Sequence, residues 1–201
     1  MKTNPIIGIL PFCVLALALS LQLARQLRGQ SLKDDIRELY SNSARVRADA
    51  TTRLVEAGPA AIPLLLPVLC DESKPNFDVA WRHAARALGE LKAGAAAPCL
   101  VQMLSLGDVT LSVFKPEKTI FDDDPAFAAL VQIGEPAVPA IARYLPSLHP
   151  NKAYLALRVL RVINTPSAKA AVEAYIKLLE NQTRLAKEVL DDFQYGPGLT
   201  R

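Results

Sequence analysis

The chain has 201 residues, a net charge of +3, 51% hydrophobic residues and only 6% aromatic ones. That length allows one domain with appendages. The charge is too mild to argue for nucleic acid or an anionic membrane surface as the main partner. Many of the hydrophobic residues are Ala and Leu, which form helices readily, and small side chains let helices approach closely.

Met1–Arg28 stands apart from the rest. Ile6–Ala24 carries no charge, Lys2 precedes it, and Arg25 and Arg28 close it. Such a stretch is either a secretory signal or a single membrane anchor. Small residues around Ala16–Ser20 suit cleavage, whereas Pro5 and Pro11 interrupt an ideal spanning helix. The lysine at position two favours export. The arginines after the stretch favour a cytoplasmic domain under the positive-inside rule. The sequence therefore predicts a membrane-associated or exported protein and leaves the side of the membrane open.

Gln30–Ser43 has the pattern of an amphipathic helix. Leu32, Ile36, Leu39 and Tyr40 make its apolar face, and Lys33, Asp34, Arg37 and Glu38 the polar one. It is placed to cap whatever follows.

From there the chain repeats itself. An Ala-x-x-x-Leu step recurs at Ala50/Leu54, Ala84/Leu88, Ala126/Leu130 and Ala156/Leu160. After each step comes a turn and a second apolar helix. The turns are Gly58-Pro59, Gly94, Gly134-Glu135-Pro136 and, departing from the pattern, Asn164-Thr165-Pro166. Gly94 is expected to end its helix in the left-handed conformation. Helix pairs are predicted near 45–69, 78–104, 125–145 and 151–180. Copies of about 30–45 residues, each a helix pair, indicate an α-solenoid. The predicted fold is all-α: about four helical hairpins with capping helices over residues 30–194, and a flexible tail at 195–201. A separate helix over Thr183–Gln194 is expected to form the C-terminal cap.

The repeats resemble the HEAT family, in particular the short subclass found in phycobilisome lyases. The resemblance rests on Asp78-Val79 with Arg82, on Ala84-x-x-x-Leu88-Gly89-Glu90-Leu91, and on Ala97-Pro98 with Leu104. Gly58–Pro63 and Gly134–Pro139 repeat the turn. It covers about Arg45–Glu180 and implies a fold rather than a reaction, because the matching residues are those of packing and turns. In that family the second helices line the concave face. Here Ala60–Leu69 and Ala95–Leu104 carry no charge, so they are either buried or line an apolar groove.

The joint Ser105–Asp124 is the longest. Val109, Leu111 and Val113 alternate with polar residues as a strand does, Lys115–Lys118 suits a turn, and Phe114 and Phe121 add two aromatics. Long insertions in repeat proteins usually lie on one face and often touch ligands; the alternative is a loop that only packs, folding Phe114 and Phe121 onto the side of the solenoid. The partner-binding candidates are Val109, Leu111, Val113, Phe114, Phe121 and Arg143. At the end of the joint, Asp124 is expected to cap the next helix, with Pro125 as its first residue.

Residues that could carry a reaction are sparse. His83 is expected on the solvated Arg86/Glu90 face of its helix, and His149 in a loop; neither has a ligand at metal spacing. No nucleophile motif or phosphate loop is present. No catalytic residue, cofactor or metal is therefore assigned. Aligning Pro63 with Pro98 places Cys99 six residues from the level of Cys70. The Cα atoms would then lie ~12–13 Å apart, beyond the ~7 Å reach of a disulfide, so two unpaired buried thiols are expected. Arginines cluster on the first helices (Arg45, Arg47, Arg53, Arg82, Arg86, Arg158 and Arg161), but the first helix of the third copy has none. A stripe interrupted in this way argues against tracking phosphates. The sequence thus favours a non-catalytic protein-interaction scaffold. A lyase-like enzyme acting on a small ligand is the alternative, and a DNA-binding solenoid ranks below both.

Overall fold

The computed structural model describes residues 31–71, 73–104 and 123–195. The leader, the stretch 105–122 and residues 196–201 lie outside them, and with them Val109, Leu111, Val113, Phe114 and Phe121. All regular structure among the described residues is helical. The helices are α1 (31–38), α2 (Ala44–Glu56), α3 (Ile62–Cys70), α4 (Phe77–Glu90), α5 (Ala97–Met103), α6 (Pro125–Ile133), α7 (Val138–Tyr144), α8 (Pro150–Ile163) and α9 (Pro166–Tyr195).

The helix ends follow from local chemistry. Ser43 caps α2, its hydroxyl accepting from the Val46 amide. Asp124 caps α6 as expected, its carboxylate accepting from the Ala126 and Phe127 amides at 3.0 and 3.1 Å. The Thr165 hydroxyl accepts from the Ala168 amide at the start of α9. The first three pairs share one joint, a short 3-10 turn leading straight into the second helix at Gly58–Ala61, Gly94–Ala96 and Glu135–Ala137.

Each joint uses one left-handed residue, but not always the expected one. Gly58 (φ 68°) and Gly134 (φ 73°) fill the position in the first and third pairs. Asn164 (φ 51°) does so in the fourth, so its departure from glycine keeps the geometry. In the second pair the left-handed residue is Lys92 (φ 51°), two positions before Gly94. Gly94 instead makes room for the next joint, where a Cβ on it would lie 2.9 Å from Pro136 Cβ.

The helices meet in two successions. α2 packs on α4, α4 on α6 and α6 on α8; α3 touches α5, α5 packs on α7 and α7 on α9. Second helices also pack on the following first helix, α3 on α4 and α5 on α6. One continuous core results, with Leu54, Leu65, Leu88, Leu100, Phe127 and Leu130 at its centre. α1 covers its first end with Leu32 and Leu39. Asp35, on the same helix, is buried and accepts from Arg53 Nε of α2 at 2.7 Å, while Glu38 takes a second nitrogen of that guanidinium.

α4 crosses α6 at close range. A Cβ at Gly89 would lie 2.8 Å from Ala129 Cα and 3.2 Å from Ala129 Cβ. No real side-chain atom tolerates such a distance to backbone, so the crossing requires glycine. At the far end, α9 runs unbroken from Pro166 to Tyr195. The expected break before Thr183 is missing because Glu180–Thr183 holds neither Gly nor Pro and so nothing stops the helix.

Gly89→Ala and Lys92→Gly should therefore act in opposite directions. Alanine at 89 gains about 1 kcal/mol of helix propensity but forces α4 off α6 and should destabilise on balance by about 1–2 kcal/mol. Glycine at 92 relieves a left-handed lysine and should stabilise by about 0.5–1 kcal/mol. Urea denaturation of the two variants beside the wild type measures both.

Candidate functional site

The pair α4/α6 carries a polar grouping of two arginines, a histidine, a glutamate and a glutamine on its surface. His83 is half-buried rather than solvated, contrary to expectation. It is clasped by α2, which the spacing within its own helix could not indicate. Thr51 Oγ1 lies 3.0 Å from Nδ1, and Arg47 Nε donates to Nε2 at 3.4 Å. Because the Thr51 hydroxyl donates to the Arg47 carbonyl at 2.7 Å, its oxygen accepts from His83. The directions of these bonds put the proton on Nδ1 and leave Nε2 as an acceptor. Burial, and then the charges of Arg47 and Arg86, hold His83 below its ordinary pKa.

Beside His83 a cleft of about 450 Å³ opens between α4 and α6. Arg82, His83, Arg86 and Glu90 form one wall; Pro125, Ala129 and Gln132 belong to the other. Arg82 is anchored through Nε on the Asp78 carbonyl at 3.2 Å and lies over the ring of the buried Trp81. Arg86 is anchored through Nε on Glu90 Oε1 at 3.1 Å. Arg47, on the far side of His83, spends Nε on the ring and one terminal nitrogen on the Ser41 carbonyl at 2.6 Å. The Gly89 crossing sits in the same wall and sets how near α6 comes to it.

Other sequence candidates are dispersed. Arg143 is exposed at the end of α7 over the Tyr144 ring and lines no part of this cleft. His149 is exposed just before α8. Among the described residues no group of three or more His, Cys, Asp or Glu could hold a metal ion. The large exposed hydrophobics among them (Tyr154, Val162, Ile176, Leu179 and Leu185) lie on α8 and α9, not on α3, α5 or α7. The chargeless second helices bury most of their large side chains. Among the described residues no single helix is long and apolar enough to cross a membrane.

The cysteines overturn the sequence expectation. Cys70 and Cys99 form a disulfide with a Cα–Cα distance of 6.5 Å, and Cys70 is exposed. The expected separation would hold if α3 and α5 lay side by side with their prolines level. Instead α3 packs chiefly on α4, and its last residue meets the first turn of α5. The bridge encloses α4 in a loop with a sequence separation of 29, a length for which chain entropy predicts about 3–4 kcal/mol of stabilisation.

No protein-family model, curated protein or solved structure matches the chain. The chemistry open to the site follows from its own groups. Terminal guanidinium nitrogens face a half-open cleft beside a neutral imidazole, a set of donors suited to holding an acidic group.

Replacing His83 tests the clasp. Protonation would turn Nε2 from acceptor into donor and break the bond from Arg47. The folded chain thus takes up this proton at lower pH than the unfolded chain does. The clasp's contribution is complete above the ordinary histidine range and is lost as pH falls through the depressed value. His83→Ala should cost about 1–2 kcal/mol near neutral pH, and the gap to wild type should narrow on acidification. Denaturation curves across a pH series measure this.

Proposed function

We propose that this chain is a non-catalytic HEAT-type helical scaffold that binds a protein partner and works at, or beyond, a membrane. The observation that carries the reading is the double succession of contacts, α2–α4–α6–α8 and α3–α5–α7–α9. Together with the recurring joints, it supports a stack of hairpins, an architecture whose usual use is to offer one extended surface to a partner. The anchored arginines of α4 suit that use. The stretch Val109–Phe121, with Arg143 on α7, is the second candidate surface.

The disulfide supports export. Disulfides persist in oxidising compartments and are rare in the cytosol. The bridge agrees with an N-terminal segment that reads as a signal or an anchor. An exported domain also gains from a covalent tie, since no cytosolic reductant opposes it.

One experiment tests the localisation half. The full chain and a version starting at Gln30 are expressed, cells are fractionated, and free thiols are blocked before and after reduction. The full chain should leave the soluble cytosolic fraction, with Cys70 and Cys99 protected until reduced. The shortened chain should stay soluble with both thiols reactive. A full chain that stays cytosolic and fully reduced contradicts the reading. The binding half is tested by chemical cross-linking in intact cells, with and without residues 108–122. A full chain that cross-links to no protein above the background of an inert exported domain contradicts it.

A further inference from the structure

We infer that the cleft between α4 and α6 is a docking site for a carboxylate-bearing segment of a partner, an acidic peptide. The inference rests on the scaffold reading and names the class of partner one of its surfaces takes.

Three arginines surround His83, and each is fixed by its Nε edge: Arg47 on the imidazole, Arg82 on the Asp78 carbonyl and Arg86 on Glu90. Among the described residues, both terminal nitrogens of Arg82 and of Arg86 and one of Arg47 have no partner. Anchoring by Nε removes part of the rotamer entropy that a free arginine loses on binding, while the terminal fork stays available for a carboxylate. His83 is held below its ordinary pKa first by its partial burial and then by the positive charges of Arg47 and Arg86, and those charges are the part that favours an anion beside it.

The geometry favours a peptide over a compact inorganic anion. Arg82 and Arg86 stand one helical turn apart, a rise of about 6 Å, which matches carboxylates spaced along a chain better than one tetrahedral ion. Glu90 holds Arg86 from the side and opposes a doubly charged group more than a singly charged one. The opposite wall is largely apolar, with Pro125 and Ala129, and Gln132 adds an amide able to meet a peptide group. A nucleic acid fits less well, since α6, the first helix of the third pair, carries no arginine to continue the track along the first helices.

His83 is the reporter. Its ring resonances are followed in the folded protein during titration with hexaglutamate, with hexaglutamine and with inorganic phosphate. Hexaglutamate should shift the His83 signals in a saturable way, raise the His83 midpoint and lose affinity with salt; hexaglutamine should do nothing. Arg82→Gln and Arg86→Gln should each weaken binding about tenfold or more, by loss of a charge-assisted bond. Lys177→Gln, exposed on α9 and no part of the cleft, should leave binding unchanged and serves as the folded control. Saturation by phosphate without hexaglutamate would overturn the assignment in favour of a small-anion site, and equal weakening by Lys177→Gln would overturn it in favour of a general charge effect. No response of the wild type to hexaglutamate would overturn the assignment outright. None of these outcomes touches the scaffold reading, which the cross-linking experiment decides on its own.

Discussion

Everything that gives this surface its character depends on how close α6 can come to α4. The limit is set where Gly89 meets Ala129, with no room for even one carbon between them. Closeness there lets Leu88 and Leu130 share one core and brings Gln132 up to the wall that carries Arg82 and Arg86. Were the two helices separated by a side chain, the cleft would become a wider and wetter trough. The same constraint recurs in milder form at Gly94 and Pro136, where two successive joints touch. Among the described residues glycine thus acts twice as a spacer of least thickness, at 89 and 94, and twice, at 58 and 134, as a turn residue with positive φ.

The all-helical class and most helix bounds were legible because their signals are local. The Ala-x-x-x-Leu step, the Pro at the start of second helices and the capping Asp124 each act within a turn or two, and the first three helix pairs fall where those signals put them, while the last helix runs on to Tyr195. The turns were legible as turns but not in detail. Lys92 rather than Gly94 takes the left-handed position because the chain needed its glycine where Pro136 approaches. What was hidden depends on residues distant in sequence. The clasp around His83 comes from Arg47 and Thr51, on a helix more than thirty residues earlier, and helical spacing within α4 cannot reveal it. The disulfide was missed for a related reason. The alignment of prolines gives the order of helices but not their offset, and a shift of little more than one turn separates an impossible bridge from a feasible one.

These hidden features are also the ones on which the proposed function draws. The disulfide joins the end of α3 to the first turn of α5, and α4 with its arginines lies in the loop between them. Arg47 links the two themes: it closes the clasp on His83 and adds to the positive field in which the cleft lies. The charges elsewhere are more ordinary. Arg53 is spent on Asp35 and Glu38, tying the capping helix down, and Lys169 pairs with Glu173 along α9. The basic residues of α2 and α4 thus divide between tying helices together, as Arg53 does, and facing outward, as Arg82 and Arg86 do.

The central claim is the near contact of α4 and α6, and a nuclear Overhauser spectrum of the folded protein tests it most directly. A strong cross-peak is expected between the Gly89 α-protons and the Ala129 methyl, together with the ordinary sequential peaks of both helices. Intact helices with no cross-peak between these two residues would contradict it, because the stack, the cleft and the placement of its arginines would then lack the crossing on which they depend.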